Sequence, residues 1–188
     1  MKKFNVAIVG ATGVVGQEIM GVLERRCFPI SKLLLLASEK SAGSYLQFHD
    51  QSIQVEVLTK ESFKDIDYAL FSAGAAISKE FAPLAVQSGA VVVDNTSFFR
   101  MRKDVPLVVP EVNKDALKRH QGIIANPNCS TAQLVLPLKA MHDELGLKRV
   151  VVSTYQSVSG AGKEAVLELE NQTRANLSGK SMSSECFT

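Results

Sequence analysis

The sequence predicts an α/β fold, with a mostly parallel sheet covered by helices on both faces, followed by the opening of an α+β part. Two observations carry this. Near-continuous apolar strands alternate with helical stretches through the first half, which is how a parallel sheet buried on both faces reads. The first strand also runs straight into a glycine-rich turn, Gly10-Ala11-Thr12-Gly13-Val14-Val15-Gly16, that opens a helix.

The elements follow in order. Phe4–Val9 is the first strand. Val15, Ile19, Val22 and Leu23 then share one helical face. Leu33–Ala37, Tyr68–Ser72 and Val91–Asp94 are further strands, and Phe81, Leu84 and Ala85 mark a helix after Ser78. Beyond residue 100 the rhythm changes. Val105–Val109, the Ile123–Ile124 run and Val150–Ser153 are strand candidates. Leu134, Leu138, Met141 and Leu145 recur at helical spacing from just after Cys129, with Pro137 expected to kink that helix. A last helix is expected from about Ala161 to Leu177, with Val166, Leu169, Thr173 and Leu177 on one side. The expected division is 1–128 as one domain and 129–188 as the beginning of a second. The tail SGKSMSSECFT closes nothing, so that second domain is expected to be incomplete.

Composition narrows the function. Of 188 residues, 46% are hydrophobic and 21% charged, an ordinary globular balance. The net charge of +2 is far from the basic excess of a nucleic-acid binder. No apolar run approaches the roughly 20 residues of a membrane span. Gly10 and Gly13 interrupt the apolar N-terminal stretch too early for a signal peptide, so a cytoplasmic protein is expected. Cys27, Cys129 and Cys186 are odd in number and widely spaced, which disfavours a disulfide framework and a zinc site; no metal is expected. Cys27 and Cys186 read as ordinary thiols.

The glycine turn points to a dinucleotide. Glycines let backbone approach a pyrophosphate, and the helix N-terminus offers free N–H groups and a partial positive charge. The spacing is GxxGxxG, not the commoner GxGxxG, so its context between strand and helix carries the reading. An NAD site usually places an acid at the end of the second strand. Here LLLLAS ends at Ser38, followed by Glu39, Lys40 and Ser41. Two hydroxyls and an ammonium suit a 2′-phosphate, which favours NADP; Glu39, which could hold a ribose hydroxyl, is the competing observation. Ser72-Ala73-Gly74, ending another strand, is a place for backbone to meet cofactor or substrate.

Cys129 follows Asn126-Pro127-Asn128 at the mouth of a helix. Helix N-termini stabilise thiolates, and the thiolate is the nucleophile. Amides of the first turn, with the Asn128 side chain, could hold an oxyanion. A nucleophilic thiol beside a nicotinamide cofactor suggests capture of an acyl group as a thioester and its reduction to an aldehyde. His49, His120 and His142 lie in no motif and read as surface residues, so the base is expected outside this chain.

The stretches GATGVVG, SEKSAG, DNTSFFRM, VPLVVPEVN, NPNCST and STYQSVSGAGKEA resemble the aspartate-semialdehyde dehydrogenase family in order and spacing, over residues 4 to about 187. The resemblance covers about the first half of a family member. It implies a Rossmann domain followed by a catalytic and dimerisation domain, in a homodimer or homotetramer. It implies reduction of L-4-aspartyl phosphate by NADPH, releasing phosphate and L-aspartate 4-semialdehyde, on the route to lysine, threonine, methionine and diaminopimelate. By motif match, Cys129 is the nucleophile, Gln156 orients substrate, and Arg100 binds phosphate with Asn95 nearby. Gly10, Ala11, Thr12, Gly13, Val14, Val15, Ser38, Lys40, Ser41, Ser72, Ala73 and Gly74 would bind the cofactor. Ser159 and Gly160, with Gly162, would lie near its nicotinamide end. A guanidinium fork matches phosphate oxygens. One departure is AGAAIS after Ser72, where related proteins often carry a serine near Ala75 or Ala76 and its hydrogen bond to the cofactor. The family's base histidine and carboxylate-binding arginine belong to its other half.

Three alternatives share parts of this pattern. N-acetyl-gamma-glutamyl-phosphate reductase has similar chemistry, but its cysteine usually sits in a Gly-Cys-Tyr context, unlike Asn128-Cys129-Ser130-Thr131. A non-catalytic nucleotide-binding module is disfavoured by Cys129, Gln156 and Arg100 occurring together. A glyceraldehyde-phosphate-type dehydrogenase would show Ser-Cys-Thr-Thr, which is not seen.

Overall fold

The computed structural model describes residues 2–181 and 184. The chain divides into two compact units, Met1–Val150 and Val151–Thr188.

The first unit is built on a sheet whose strands are β1 (Phe4–Val9), β2 (Ile30–Ala37), β3 (Tyr45–Phe48), β4 (Gln51–Val57), β5 (Tyr68–Phe71), β6 (Val91–Asp94) and β7 (Ile123–Ala125). Among the described residues their order is β3-β4-β2-β1-β5-β6-β7. All pairings are parallel except β3 with β4. The helices of this unit are α1 (Val14–Arg25), α2 (Ala75–Gln87), α3 (Pro110–Asn113) and α4 (Cys129–Leu145), with a 3-10 segment Lys114–Arg119 after α3. The expected doubly covered parallel sheet is present.

The sheet's two faces explain its apolar strands. Side chains alternate across a strand. In β1, Ala7 and Val9 join one buried cluster with Leu34, Leu36, Phe71 and Val92, under Ala82 and Ala85 of α2. Ile8 joins the opposite cluster with Leu35, Val55 and Phe48, under Met20 of α1. Two dry faces leave no position for a polar residue in the middle of β1 or β2. Chain order places α1 between β1 and β2 and α2 between β5 and β6, so both helix N-termini follow the carboxyl ends of central strands, where open α/β sheets bind ligands.

Residues 45–57, covered by no predicted strand, form a hairpin of β3 and β4 joined by His49-Asp50, with His49 at φ 50°. Two expectations are corrected. Val105–Val109 is not a strand; it shrinks to one parallel bridge, Leu107 to Ala125. Pro106 has no N–H to donate, and the N–H of Val109 is taken by Asn113 Oδ1 at 2.9 Å. Val150–Ser153 is irregular: a strand needs a paired neighbour, and among the described residues this segment has none. The helix expected just after Cys129 is present as α4, and its apolar stripe is not a buried face. No residue of that helix is buried, and Met141 and Leu145 are exposed. The helix runs unbroken through Pro137.

In the second unit an irregular stretch leads to a 3-10 turn, Val158–Ala161, and then α5 (Lys163–Leu177). Gly162, at φ 109°, makes the break between them. The buried side of α5 is marked by Ala165, whereas Leu169 and Leu177 of the expected stripe are exposed. Cys186 lies outside the described residues. No helix among the described residues is long and apolar enough to cross a membrane.

Candidate functional site

Three loops leave the carboxyl ends of β1, β2 and β5. The first is the glycine turn. Gly10 has φ 89°, and its N–H and that of Ala11 both donate to Leu36 O, at 2.8 and 3.2 Å, pinning the turn to the end of β2. A Cβ on Gly10 would lie 3.0 Å from backbone atoms of Ser72 and Ala73. The loops after β1 and β5 are therefore in contact, which brings Gly10, Ala11, Thr12 and Gly13 beside Ser72, Ala73 and Gly74. A Cβ on Gly16 would fall inside the envelope of Gly10 O, so α1 packs directly on the turn. Gly13 is the N-cap of α1, and no side chain among the described residues caps that end. The first-turn amides from Val14 onward are thus left for a ligand. Gly74 caps α2 in the same bare manner, at φ 94°.

The loop after β2 closes on itself. Ser38 O accepts from the N–H groups of Ser41 and Ala42, at 2.9 and 3.0 Å. Ser38, Glu39 and Lys40 are exposed, and their side chains bond to nothing among the described residues. An ammonium and two hydroxyls, together with one carboxylate, are available there.

The thiol and the guanidinium follow the carboxyl ends of neighbouring strands, β7 and β6. Cys129 is the first residue of α4 and is exposed. Its N-cap is Asn128, whose Oδ1 accepts from Ser130 N at 3.0 Å and Ser130 Oγ at 2.6 Å, and lies 4.0 Å from Cys129 Sγ. The Asn128 oxygen is thereby used for capping and its Nδ2 is left to donate. Among the described residues no histidine bonds the thiol: His49 pairs with Glu24, and His120 accepts from Gly122 N.

Arg100 is held by backbone. Its Nε donates to Asn126 O and its Nη2 to Asn95 O, both at 2.9 Å. Among the described residues no carboxylate lies within ion-pair distance of it. The turn that carries it is fixed from below by Asp94, which is wholly buried. Asp94 Oδ1 accepts from Ser78 Oγ at 2.8 Å and Thr96 N at 3.0 Å, and Oδ2 from Thr96 Oγ1 at 3.0 Å. Phe99, also buried, anchors the same turn in the core. A buried carboxylate with three donors is a costly thing to leave unsatisfied, so this turn has one shape.

Asn95, Arg100 and the Cys129 loop are brought together through Asn126, whose Nδ2 donates to Asn95 Oδ1 at 2.6 Å. Asn126 and Asp94 are the residues that sequence reasoning missed. The signal available was an asparagine or aspartate at the carboxyl end of each strand, in DNT and NPN. Gln156, Ser159 and Gly160 belong to the second unit. Gln156 is exposed there, with Nε2 3.4 Å from Thr154 Oγ1; Ser159 and Gly160 lie in the 3-10 turn, tied by a 2.9 Å bond between Ser157 Oγ and Ser159 Oγ.

Comparison with known proteins identifies the family. The semialdehyde dehydrogenase NAD binding domain matches residues 5–120, and the semialdehyde dehydrogenase dimerisation domain matches residues 138–188. An aspartate-semialdehyde dehydrogenase of Aquifex aeolicus is 57% identical over 95% of this chain and 54% of its own length. The crystal structure of aspartate semialdehyde dehydrogenase II complexed with ASA from Vibrio cholerae superposes with a TM-score of 0.95 at 46% identity, covering all of this chain and 56% of that one. A Candida albicans aspartate semialdehyde dehydrogenase solved with NADP has a TM-score of 0.66 at 29% identity, over 78% of this chain and 48% of that one. The chain spans about half the length of the curated relatives it matches. It belongs to the semialdehyde dehydrogenase family, and its relatives within that family are aspartate-semialdehyde dehydrogenases.

Proposed function

We propose that this chain supplies the cofactor-binding part and the nucleophile of an NADP-dependent aspartate-semialdehyde dehydrogenase. Residues 1–128 bind the cofactor, and 129–188 open the catalytic and dimerisation part of a homodimer or homotetramer. The reading carries with it a cytoplasmic setting and a place in lysine, threonine, methionine and diaminopimelate biosynthesis. The observation that carries it is the guanidinium of Arg100, which has no acid partner among the described residues and is hydrogen-bonded to the loop that presents Cys129.

The cofactor's fit rests on the cradle. Gly10 and Gly16 leave no room for a Cβ, and α1 has bare first-turn amides, as a pyrophosphate requires. Gly10, Ala11, Thr12, Gly13, Val14 and Val15 would hold it, with Ser38, Lys40 and Ser41 at a 2′-phosphate. Ser72, Ala73, Gly74, Ser159 and Gly160 complete the contacts. When bound, NADPH supplies hydride to the acyl carbon. Cys129 as thiolate attacks the carbonyl of L-4-aspartyl phosphate; the carbon–sulfur bond forms as the carbon–oxygen bond to phosphate breaks. Arg100 and Asn95 bind the leaving phosphate. The first-turn amides of α4 at Cys129 and Thr131, left over once Asn128 caps Ser130 N, stabilise the oxyanion with Asn128 Nδ2, and Gln156 orients the substrate. After reduction, the carbon–sulfur bond breaks to release L-aspartate 4-semialdehyde and the thiolate.

The test is the reverse reaction of the full-length protein, followed by reduced-nicotinamide absorbance. Phosphate-dependent oxidation of L-aspartate 4-semialdehyde, faster with NADP than NAD, is expected. Activity on N-acetylglutamate semialdehyde instead would assign the protein to N-acetyl-gamma-glutamyl-phosphate reduction. Inactivity on both would leave a nucleotide-binding module.

A further inference from the structure

Asn126 has no role in the chemistry above, yet it bonds to both members of the anion-binding pair. Its carbonyl accepts from Arg100 Nε, and its side-chain nitrogen donates to Asn95 Oδ1 at 2.6 Å. The same nitrogen lies 3.4 Å from Pro127 O, which can only accept, so the amide group of Asn126 has one orientation. That orientation dictates the next. Because Asn95 must present its oxygen to Asn126, its nitrogen is the end left over. Arg100, gripped through Nε and one N–H of Nη2, has both N–H groups of Nη1 and the other of Nη2 remaining. The open ends of the pair are therefore all donors.

We infer that Asn126 is a positioning residue that sets the polarity of this subsite, holding Asn95 so that amide and guanidinium both donate to one tetrahedral oxyanion. Naming that anion as phosphate rests on the proposed function. Asn126 also follows β7 directly and precedes Cys129 by way of the buried Pro127, so the anion subsite and the thiol share one support. Without its side chain the Asn95 amide is free to turn its oxygen toward the anion, where it repels.

A mutant cycle on the full-length protein tests this, reading the KM for inorganic phosphate in the reverse reaction. Asn126→Ala and Asn95→Ala should each raise that KM about tenfold, the worth of one hydrogen bond to a charged group. The double variant should be no worse than the more damaging single one, because Asn126 acts through Asn95. The KM for NADP should move less than about twofold in all three, a split that general loosening of the fold would not produce. An unchanged phosphate KM in Asn126→Ala, or losses that multiply in the double variant, overturns the inference. Should the alanine variant fail to fold, the isosteric Asn126→Asp decides. It makes Asn95 donate inward and face the anion with oxygen, so a raised phosphate KM with unaltered NADP KM supports the role and an unaltered phosphate KM ends it. Wild-type turnover that ignores phosphate overturns the proposed reaction, and this inference with it. With phosphate dependence present, the cycle judges Asn126 alone.

Discussion

At the scale of single residues, the site depends on groups whose freedom has been removed. Arg100 is the clearest case. A lysine at that position cannot span Asn126 O and Asn95 O and still point donors at an anion, because an ammonium is a single point and not a fork. Arg100→Lys should therefore raise the phosphate KM by about tenfold or more despite the conserved charge, measured by steady-state kinetics at fixed NADP. A phosphate KM within error of the wild type would remove Arg100 from the anion subsite. Cys129→Ser makes the complementary prediction. Turnover should fall by about a thousandfold or more, since a serine hydroxyl at a helix N-terminus is not ionised, while NADP titration stays near normal. Substantial turnover by the serine variant would take the thiol out of the reaction. Cys129 was legible in the sequence because a strand, a broken turn and a helix follow one another there. Asn126 was not, because its role lies in which end of an amide faces which neighbour, and that is a three-dimensional fact.

Whole elements are placed by backbone contact as much as by hydrophobic pattern. α1 sits where it does because Gly16 has no Cβ; adding one would drive it into Gly10 O, and backbone cannot give way as a side chain can. Gly16→Ala should cost about 2–3 kcal/mol, read by thermal unfolding, and weaken NADP binding with it. Gly21, one turn further along the same helix, makes the control. Its Cβ would meet only the end of the Arg25 side chain, so Gly21→Ala should be neutral or stabilising by about 0.5–1 kcal/mol. Equal effects at the two positions would sink the packing argument. Such local signals also explain what the sequence did and did not reveal. β1, β2, β5 and β6 are flanked on both faces, and their unbroken apolar runs were readable. β3 and β4 form a sheet edge, where Tyr45, Gln47, Gln51, Ser52 and Gln54 meet solvent, and no strand was predicted there. Val105–Val109 and Val150–Ser153 have strand composition without a partner to pair with, and composition alone does not supply one.

For the molecule as a whole, the two units divide the work unequally. The turn at Gly10–Val15, the loop at Ser38–Ser41 and the contact at Ser72–Gly74 are all built within Met1–Val150, on a sheet with its own two-sided core. On the proposed reading, most of the cofactor's contacts therefore come from that unit, and only those of Ser159 and Gly160 come from outside it. Turnover asks for more. Gln156 lies in the second unit with its side chain exposed, no histidine among the described residues bonds Cys129, and Leu145, Val151, Tyr155 and Leu177 present apolar surface to water. A polypeptide of these 188 residues alone is predicted to bind NADPH, seen as a change in nicotinamide fluorescence, with an affinity close to that of the full-length protein. The same preparation is predicted to give no phosphate-dependent oxidation of L-aspartate 4-semialdehyde. Loss of NADPH binding would mean that Ser159 and Gly160, or residues elsewhere in the full protein, carry more of the cofactor's affinity than the glycine cradle does. Measurable turnover would mean that Cys129 finds its proton acceptor among the side chains present here, and would redirect the search to His120 and His142.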